Sequence, residues 1–116
     1  MSANDDVHTT PKAAFYQTLA SIPPGYFTSY GRLASLCGVH VRQIQAWLRT
    51  LPRESGLPWF RIINSQRKIT EHPGSIVQYE LLKAEGLLAD KRGRFPMDRY
   101  WPDCLGTHTI VGENSV

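Results

Sequence analysis

The stretch "TSYGRLASLCGVHVRQIQAWLRTL", Thr28–Leu51, decides the fold. Thr28 or Ser29 can cap a short helix whose apolar side carries Leu33, Leu36 and Cys37, and Gly38 stops it. A second helix follows almost at once. With helical residues turning by about 100° each, Ile44, Leu48 and Leu51 share one face with Trp47 at its edge. Arg42, Gln45, Ala46 and Arg49 lie roughly opposite. One face is built to pack and the other to meet solvent or a ligand. Two short helices around a tight Gly-containing turn, the second basic on its outer side, form a helix-turn-helix pattern. Small helical proteins that bind no DNA also show it.

Upstream, "TTPKAAFYQTLASI" (9–22) predicts a helix capped by Thr9 or Thr10, with Pro11 at its first position and Phe15, Leu19 and Ile22 facing the core. "PPG" at 23–25 ends it. Downstream, "WFRIIN" (59–64) and "KIT" (68–70) predict a small hairpin turning at 64–67, the place of a wing. "SIVQYELLKAEGLL" (75–88) predicts a last helix, with Ser75 and Gln78 in capping-box spacing and Val77, Leu81, Ala84 and Leu88 on its core face. "FPMDRYWPDCLG" (95–106) reads as an extended segment laying Phe95, Tyr100 and Trp101 on the core. The expected class is mainly α, a winged helix-turn-helix with a small β-hairpin wing. Residues 11–103 form the domain, between a flexible N-terminus (1–10) and a flexible tail (104–116).

A chain of 116 residues suffices for one modest core. The net charge is +3, but its distribution is one-sided. Between residues 11 and 70 stand Lys12, Arg32, Arg42, Arg49, Arg53, Arg61, Arg67 and Lys68, against the single acid Glu54. That field suits a polyanionic partner, nucleic acid first, and on charge alone a merely solvated surface is an equal alternative. Cys37 and Cys104 lack the spacing of a disulfide framework or a zinc site, so neither metal nor cofactor is expected. Cys37 reads as a small buried hydrophobe and Cys104 as exposed. Without an apolar run long enough for a span, the expectation is a soluble, monomeric, cytoplasmic protein, nucleoid-associated if bacterial.

Four segments in order carry a resemblance. "IPPGYFTSYGRLASLCG" is similar to the "IP-x-G-x-(V/T)-S-Y-G-x-(I/L)-A" segment of O6-alkylguanine-DNA alkyltransferases, the methylated-DNA-protein-cysteine methyltransferase family. "VRQIQAWLR" resembles their recognition helix, "ARxVGxAxR"; "LPWFRIINSQRKIT" resembles their active-site segment, "(V/I)PCHRV(V/I)…G-x-(I/L)"; and "LLKAEG" resembles their closing "LLxxEG". The match covers about residues 13–88. Family members flip an alkylated guanine out of the duplex and transfer the alkyl group to a cysteine. Trp59 stands at that cysteine's position and Phe60 replaces the histidine that would deprotonate it. An indole has no ionisable thiol and cannot accept the alkyl group. The chain therefore resembles the alkyltransferase-like branch, which carries tryptophan there, binds the lesion without repairing it and is thought to present it to nucleotide excision repair.

The resemblance implies no catalytic residue but several binding ones. Arg42 is the finger that fills the gap left by the flipped base, stacking through its guanidinium, and Tyr30 crowds the adjacent phosphate. Ser29, Arg49 and Lys68 are phosphate-contact candidates; Trp59, Pro58, Phe60, Tyr30 and Ser65 are the lesion-pocket candidates. Arg61 is a further contact candidate, but the resemblance favours a structural role for it, and Glu85 is expected to be structural. The chain departs from the pattern in four places. Tyr30 and Arg42 stand two residues closer than usual, Gln45 and Trp47 replace small residues, Phe60 replaces histidine, and the turn "SQRK" lacks a glycine.

Three rival readings remain open at this stage. One is a winged-helix transcription regulator reading undamaged DNA with its third helix. Another is an active alkyltransferase using Cys37 or Cys104, neither of which has the flanking proline and His-Arg. The last is an interaction module that has lost DNA binding.

Overall fold

A computed structural model of the chain describes residues 10–104. The expected flexible ends lie outside the described residues, apart from Thr10 and Cys104. Helix α1 is Pro11–Ser21, capped by Thr10, whose Oγ1 accepts the Ala13 N–H at 3.1 Å. Strand β1 is only Thr28–Ser29 and leads straight into α2, Tyr30–Cys37. Ser29 caps α2 by accepting the Arg32 N–H at 3.0 Å, and Gly38 ends it in the left-handed region, φ 72°. There the missing Cβ removes the steric cost of that conformation. Helix α3, Val41–Arg49, is capped by His40, whose Nδ1 accepts the Arg42 N–H. Strand β2 is Ile62–Ile63 and helix α4 is Ser75–Ala84.

Helices α1, α2 and α3 close around Phe15, Leu19, Ile22, Leu33, Ala34, Ile44 and Ile62. Trp47 packs its ring 5.3 Å from that of Phe15. A second cluster joins Phe27, Ile63, Leu82, Leu87 and Phe95. Successive strand residues point to opposite faces, so the neighbours Ile62 and Ile63 serve the two clusters from either side of β2. The C-terminal segment closes the second one. Phe27 donates its N–H to the Arg99 carbonyl at 3.0 Å, Trp101 donates to the Phe27 carbonyl at 2.7 Å, and Tyr100 stacks on Phe27. Phe95 is fully buried, and Tyr100 and Trp101 pack on the core as expected.

Four local expectations are corrected. Leu36 is 44% exposed, and Ala34 packs in its place; Leu33, Ala34 and Cys37 lie within about 100° of arc, outside which Leu36 falls. The segment 59–61 is a 3-10 turn rather than strand. Ile62–Ile63 pairs in parallel with β1, Thr28 opposite Ile62 and Ser29 opposite Ile63, so the two-stranded sheet joins distant parts of the chain. The expected hairpin survives as a turn, with the Asn64 N–H on the Lys68 carbonyl and the Asn64 side chain accepting the Gln66 and Lys68 N–H groups. Its missing glycine is replaced by Arg67 at φ 65°, a conformation that costs a non-glycine residue about 1 kcal/mol.

The last two corrections concern α4. The stripe Val77, Leu81, Ala84 and Leu88 faces solvent, while Gln78 and Leu82 are buried. The real inner face is turned by about one residue, 100°, because Gln78 finds polar partners inside. Ser75 is the first helical residue rather than the cap, Gly74 holds the cap position without a side-chain bond, and Gln78 points inward, so no capping box forms.

Candidate nucleic-acid interface

The lesion-pocket candidates Trp59 and Phe60 sit on a 3-10 turn, Trp59–Arg61. It is wound by the Trp59 N–H on the Leu57 carbonyl at 2.8 Å and the Arg61 N–H on the Pro58 carbonyl at 3.1 Å. At three residues per turn, consecutive side chains point about 120° apart. The rings of Trp59 and Phe60 stand edge to face at 89°, centroids 6.0 Å apart. Phe60 packs on the second core cluster, with the Arg61 guanidinium 5.0 Å from its ring centroid. This corrects the assignment of Phe60 as a pocket wall: it supports the turn from the core side. Pro58 is buried and offers only backbone, while Trp59 keeps a half-exposed indole.

Arg61 and Glu85 brace the turn from behind. Arg61 Nε donates to both Glu85 carboxylate oxygens, at 3.0 and 3.2 Å, and Nη2 adds a further bond to Oε2. Arg61 Nη1 donates to the Ile22 carbonyl at 2.8 Å, and Glu85 Oε1 accepts the Gly25 N–H at 3.0 Å. Burial alone would raise the Glu85 carboxyl, but the bonds from Arg61 and Gly25 and the Arg61 charge outweigh it and hold it below the usual carboxylate range. Both residues are structural, as their sequence context implies.

The parallel register brings Tyr30, the residue after Ser29, beside Asn64, the residue after Ile63. The start of α2 and the 64–67 turn therefore share one end of the sheet. Tyr30 is half-buried there and Ser65 exposed. Ser29 does not fit its assignment as a phosphate contact. It is 1% exposed, and its hydroxyl is committed to the Arg32 N–H and to Tyr100 Oη at 2.6 Å. Arg42 and Arg49 extend from the exposed side of α3. Lys68, at the foot of the 64–67 turn, lines an open cavity of about 520 Å³ shared with Ile69, Glu71, Tyr79 and Asp90. The basic field is also narrower than the sequence suggests. Arg61 is neutralised by Glu85, and Arg32 pairs with Asp103.

Two further residues bear on the turn: Gln78, read from the sequence only as a capping-box partner, and His72, which the sequence reading did not single out. Gln78 Nε2 donates to the Phe60 carbonyl at 3.1 Å and the Ile62 carbonyl at 2.9 Å, and Gln78 Oε1 meets His72 Nε2 at 2.9 Å. The one signal available in the sequence was a glutamine set among apolar residues in the last helix.

A helix-turn-helix packed on α1, with a short sheet tying its first helix to a braced aromatic turn, defines a winged-helix DNA-binding domain. The sequence model of the 6-O-methylguanine DNA methyltransferase DNA-binding domain matches residues 11–87, and the chain belongs to that family. It is 38% identical over 88 residues to the DNA base-flipping protein of Escherichia coli, spanning 73% of this chain and 68% of that one. The DNA base-flipping protein of Vibrio parahaemolyticus is 34% identical over 73% of this chain and 88% of its own. Alkyltransferase-like protein 1 of Schizosaccharomyces pombe is 31% identical over 62% of this chain and 71% of its own. Among solved structures, S. pombe Atl1 in complex with damaged DNA containing O6-carboxymethylguanine superposes with a TM-score of 0.68 at 25% identity, covering 79% of this chain and 94% of Atl1.

Proposed function

We propose that this protein is a non-catalytic sensor of O6-alkylguanine in duplex DNA. The observation that carries the reading is Trp59. By the resemblance of its segment it stands at the family's acceptor cysteine, and it is half exposed on a turn braced by Arg61, Glu85 and Gln78. A thiolate there would accept an alkyl group; an indole offers only a stacking surface. The names of the relatives, base-flipping and alkyltransferase-like, and the lesion in the Atl1 complex support the same reading.

In this mechanism α3 docks in the minor groove and phosphate contacts from Arg49 and Lys68 supply salt-dependent affinity. Tyr30 turns the target nucleotide, and Arg42 enters the stack and stands in for the extruded guanine. The flipped base rests against Trp59, with Ser65 and the Pro58 backbone at the pocket edge. Flipping costs a few kcal/mol, less for a weakened pair, which itself favours the lesion. The bound complex is handed to nucleotide excision repair. The protein acts as a monomer in the cytoplasm, on nucleoid DNA if the host is bacterial.

The test is binding to one duplex with and without a single O6-methylguanine. Tighter binding to the modified duplex is expected. Equal affinities would instead favour a winged-helix regulator of undamaged DNA.

A further inference from the structure

We propose that His72 and Gln78 form a relay that positions Trp59, so that His72, just beyond the segment that resembles the acceptor motif, sets lesion discrimination; the second clause rests on the lesion-binding reading above. The hydrogen bonds define the relay without ambiguity. The Gly74 N–H donates to His72 Nδ1 at 3.0 Å, so that nitrogen is an acceptor and the proton of the neutral ring sits on Nε2. His72 Nε2 then donates to Gln78 Oε1 at 2.9 Å. That orients the amide so that Nε2 of Gln78 donates to the carbonyls of Phe60 and Ile62, at 3.1 and 2.9 Å. Every polar atom of the two side chains is used, and Gln78 is only 2% exposed, so the chain has one consistent arrangement.

What the relay holds is the Trp59 turn and the first residue of β2. The Phe60 carbonyl belongs to the 3-10 turn that carries the indole, and Ile62 pairs with Thr28 two residues before Tyr30. One glutamine thus fixes the backbone on both sides of Arg61. The 72–74 loop also runs close to the indole. A Cβ added at Gly74 would stand 3.1 Å from His72 Cε1 and 4.0 Å from Trp59 Cη2. Glycine there lets the imidazole and the indole edge approach the same point. The link from His72 to Trp59 runs through Gln78 and the Phe60 carbonyl. His72 touches no reacting group; it acts through Gln78 and the turn.

The experiment compares wild type, His72→Ala and His72→Gln by two readouts. The first is the indole N–H cross-peak of Trp59 in the DNA-free protein, with those of Trp47 and Trp101 as internal controls. The second is the affinity ratio for duplexes with and without one O6-methylguanine. Glutamine can keep the donor that His72 Nε2 supplies, and alanine cannot. His72→Ala is expected to move the Trp59 peak, leave the other two in place, and lower the ratio about five- to tenfold with affinity for undamaged DNA held within about twofold, the scale of one lost hydrogen bond. His72→Gln is expected to restore both. An unmoved Trp59 peak in His72→Ala, or a His72→Gln protein that behaves like His72→Ala, overturns the relay. A wild-type protein with no lesion preference overturns the proposed function instead, and the Trp59 peak still decides the positioning role.

Discussion

Arg61 and Glu85 form a bidentate pair, with side chains only 12% and 15% exposed, that ties the Trp59 turn to the C-terminus of α4 and the end of α1. Removing one partner strands the other charge in a poorly hydrated site. Glu85→Ala is expected to destabilise the fold by about 3 kcal/mol, read as a lower urea midpoint. Glu85→Gln, which can still accept the Gly25 N–H, should cost less.

The same pair sets a pH dependence. The Glu85 carboxyl is held below its ordinary value of 4.5 in the folded chain. A depressed folded value means the unfolded chain binds the proton first, so the contribution is complete above that ordinary value and is lost as pH falls through the folded one. Stability should be flat near neutrality and fall in acid. In Glu85→Gln the acid limb of the urea midpoint against pH should be shallower. Equal limbs would assign the acid loss to other carboxylates, Asp90 among them, whose carboxyl is also lowered by N–H bonds from Arg94 and Arg92.

Trp59→Ala removes the stacking surface while leaving the phosphate contacts. Affinity for a duplex carrying O6-methylguanine should fall by about 1–3 kcal/mol, the worth of stacking one base. Affinity for the undamaged duplex should change little. Parallel losses on both duplexes would mean that Trp59 acts on the fold rather than on the base.

Arg42 and Arg49 differ in their expected signatures. Arg49→Gln should weaken binding to both duplexes and reduce the slope of log affinity against log salt by about 0.9, the loss of one phosphate contact. Under the proposed mechanism Arg42→Ala should reduce lesion binding more than undamaged binding, because a finger is engaged only when the base is out. Titrations at several salt concentrations separate the two.

Neither cysteine should accept an alkyl group. Burial pushes the Cys37 thiol up, against a smaller lowering by its hydrogen bond with Thr18, which keeps it protonated and unreactive. Intact mass after incubation with methylated DNA should be unchanged. A single methyl adduct would restore the enzyme reading.

The helical frame was largely legible. Thr10, Ser29 and Gly38 cap and stop helices by local chemistry, and Phe15, Leu19 and Ile44 follow the helical period into the core. The inner face of α4 was not legible. Val77, Leu81, Ala84 and Leu88 make as regular an apolar stripe as any in the chain, yet they face solvent. A pattern rule scores a buried glutamine as an error, because it cannot see the two carbonyls waiting for it. Ser29 and Phe60 were misassigned for a related reason. A short serine reads as a surface donor until Tyr100 covers it, and neighbouring aromatics read as one wall until a 3-10 turn separates them.

The sequence by itself determined the family and the helix-turn-helix, since these rest on residue identity and local period. Only the tertiary structure decided how the Trp59 turn is held. Its supports, Glu85, Gln78 and His72, lie on later segments. A hydrogen bond between residues far apart in the chain leaves no periodic trace in either partner. It exists only once packing has excluded water and brought donor to acceptor.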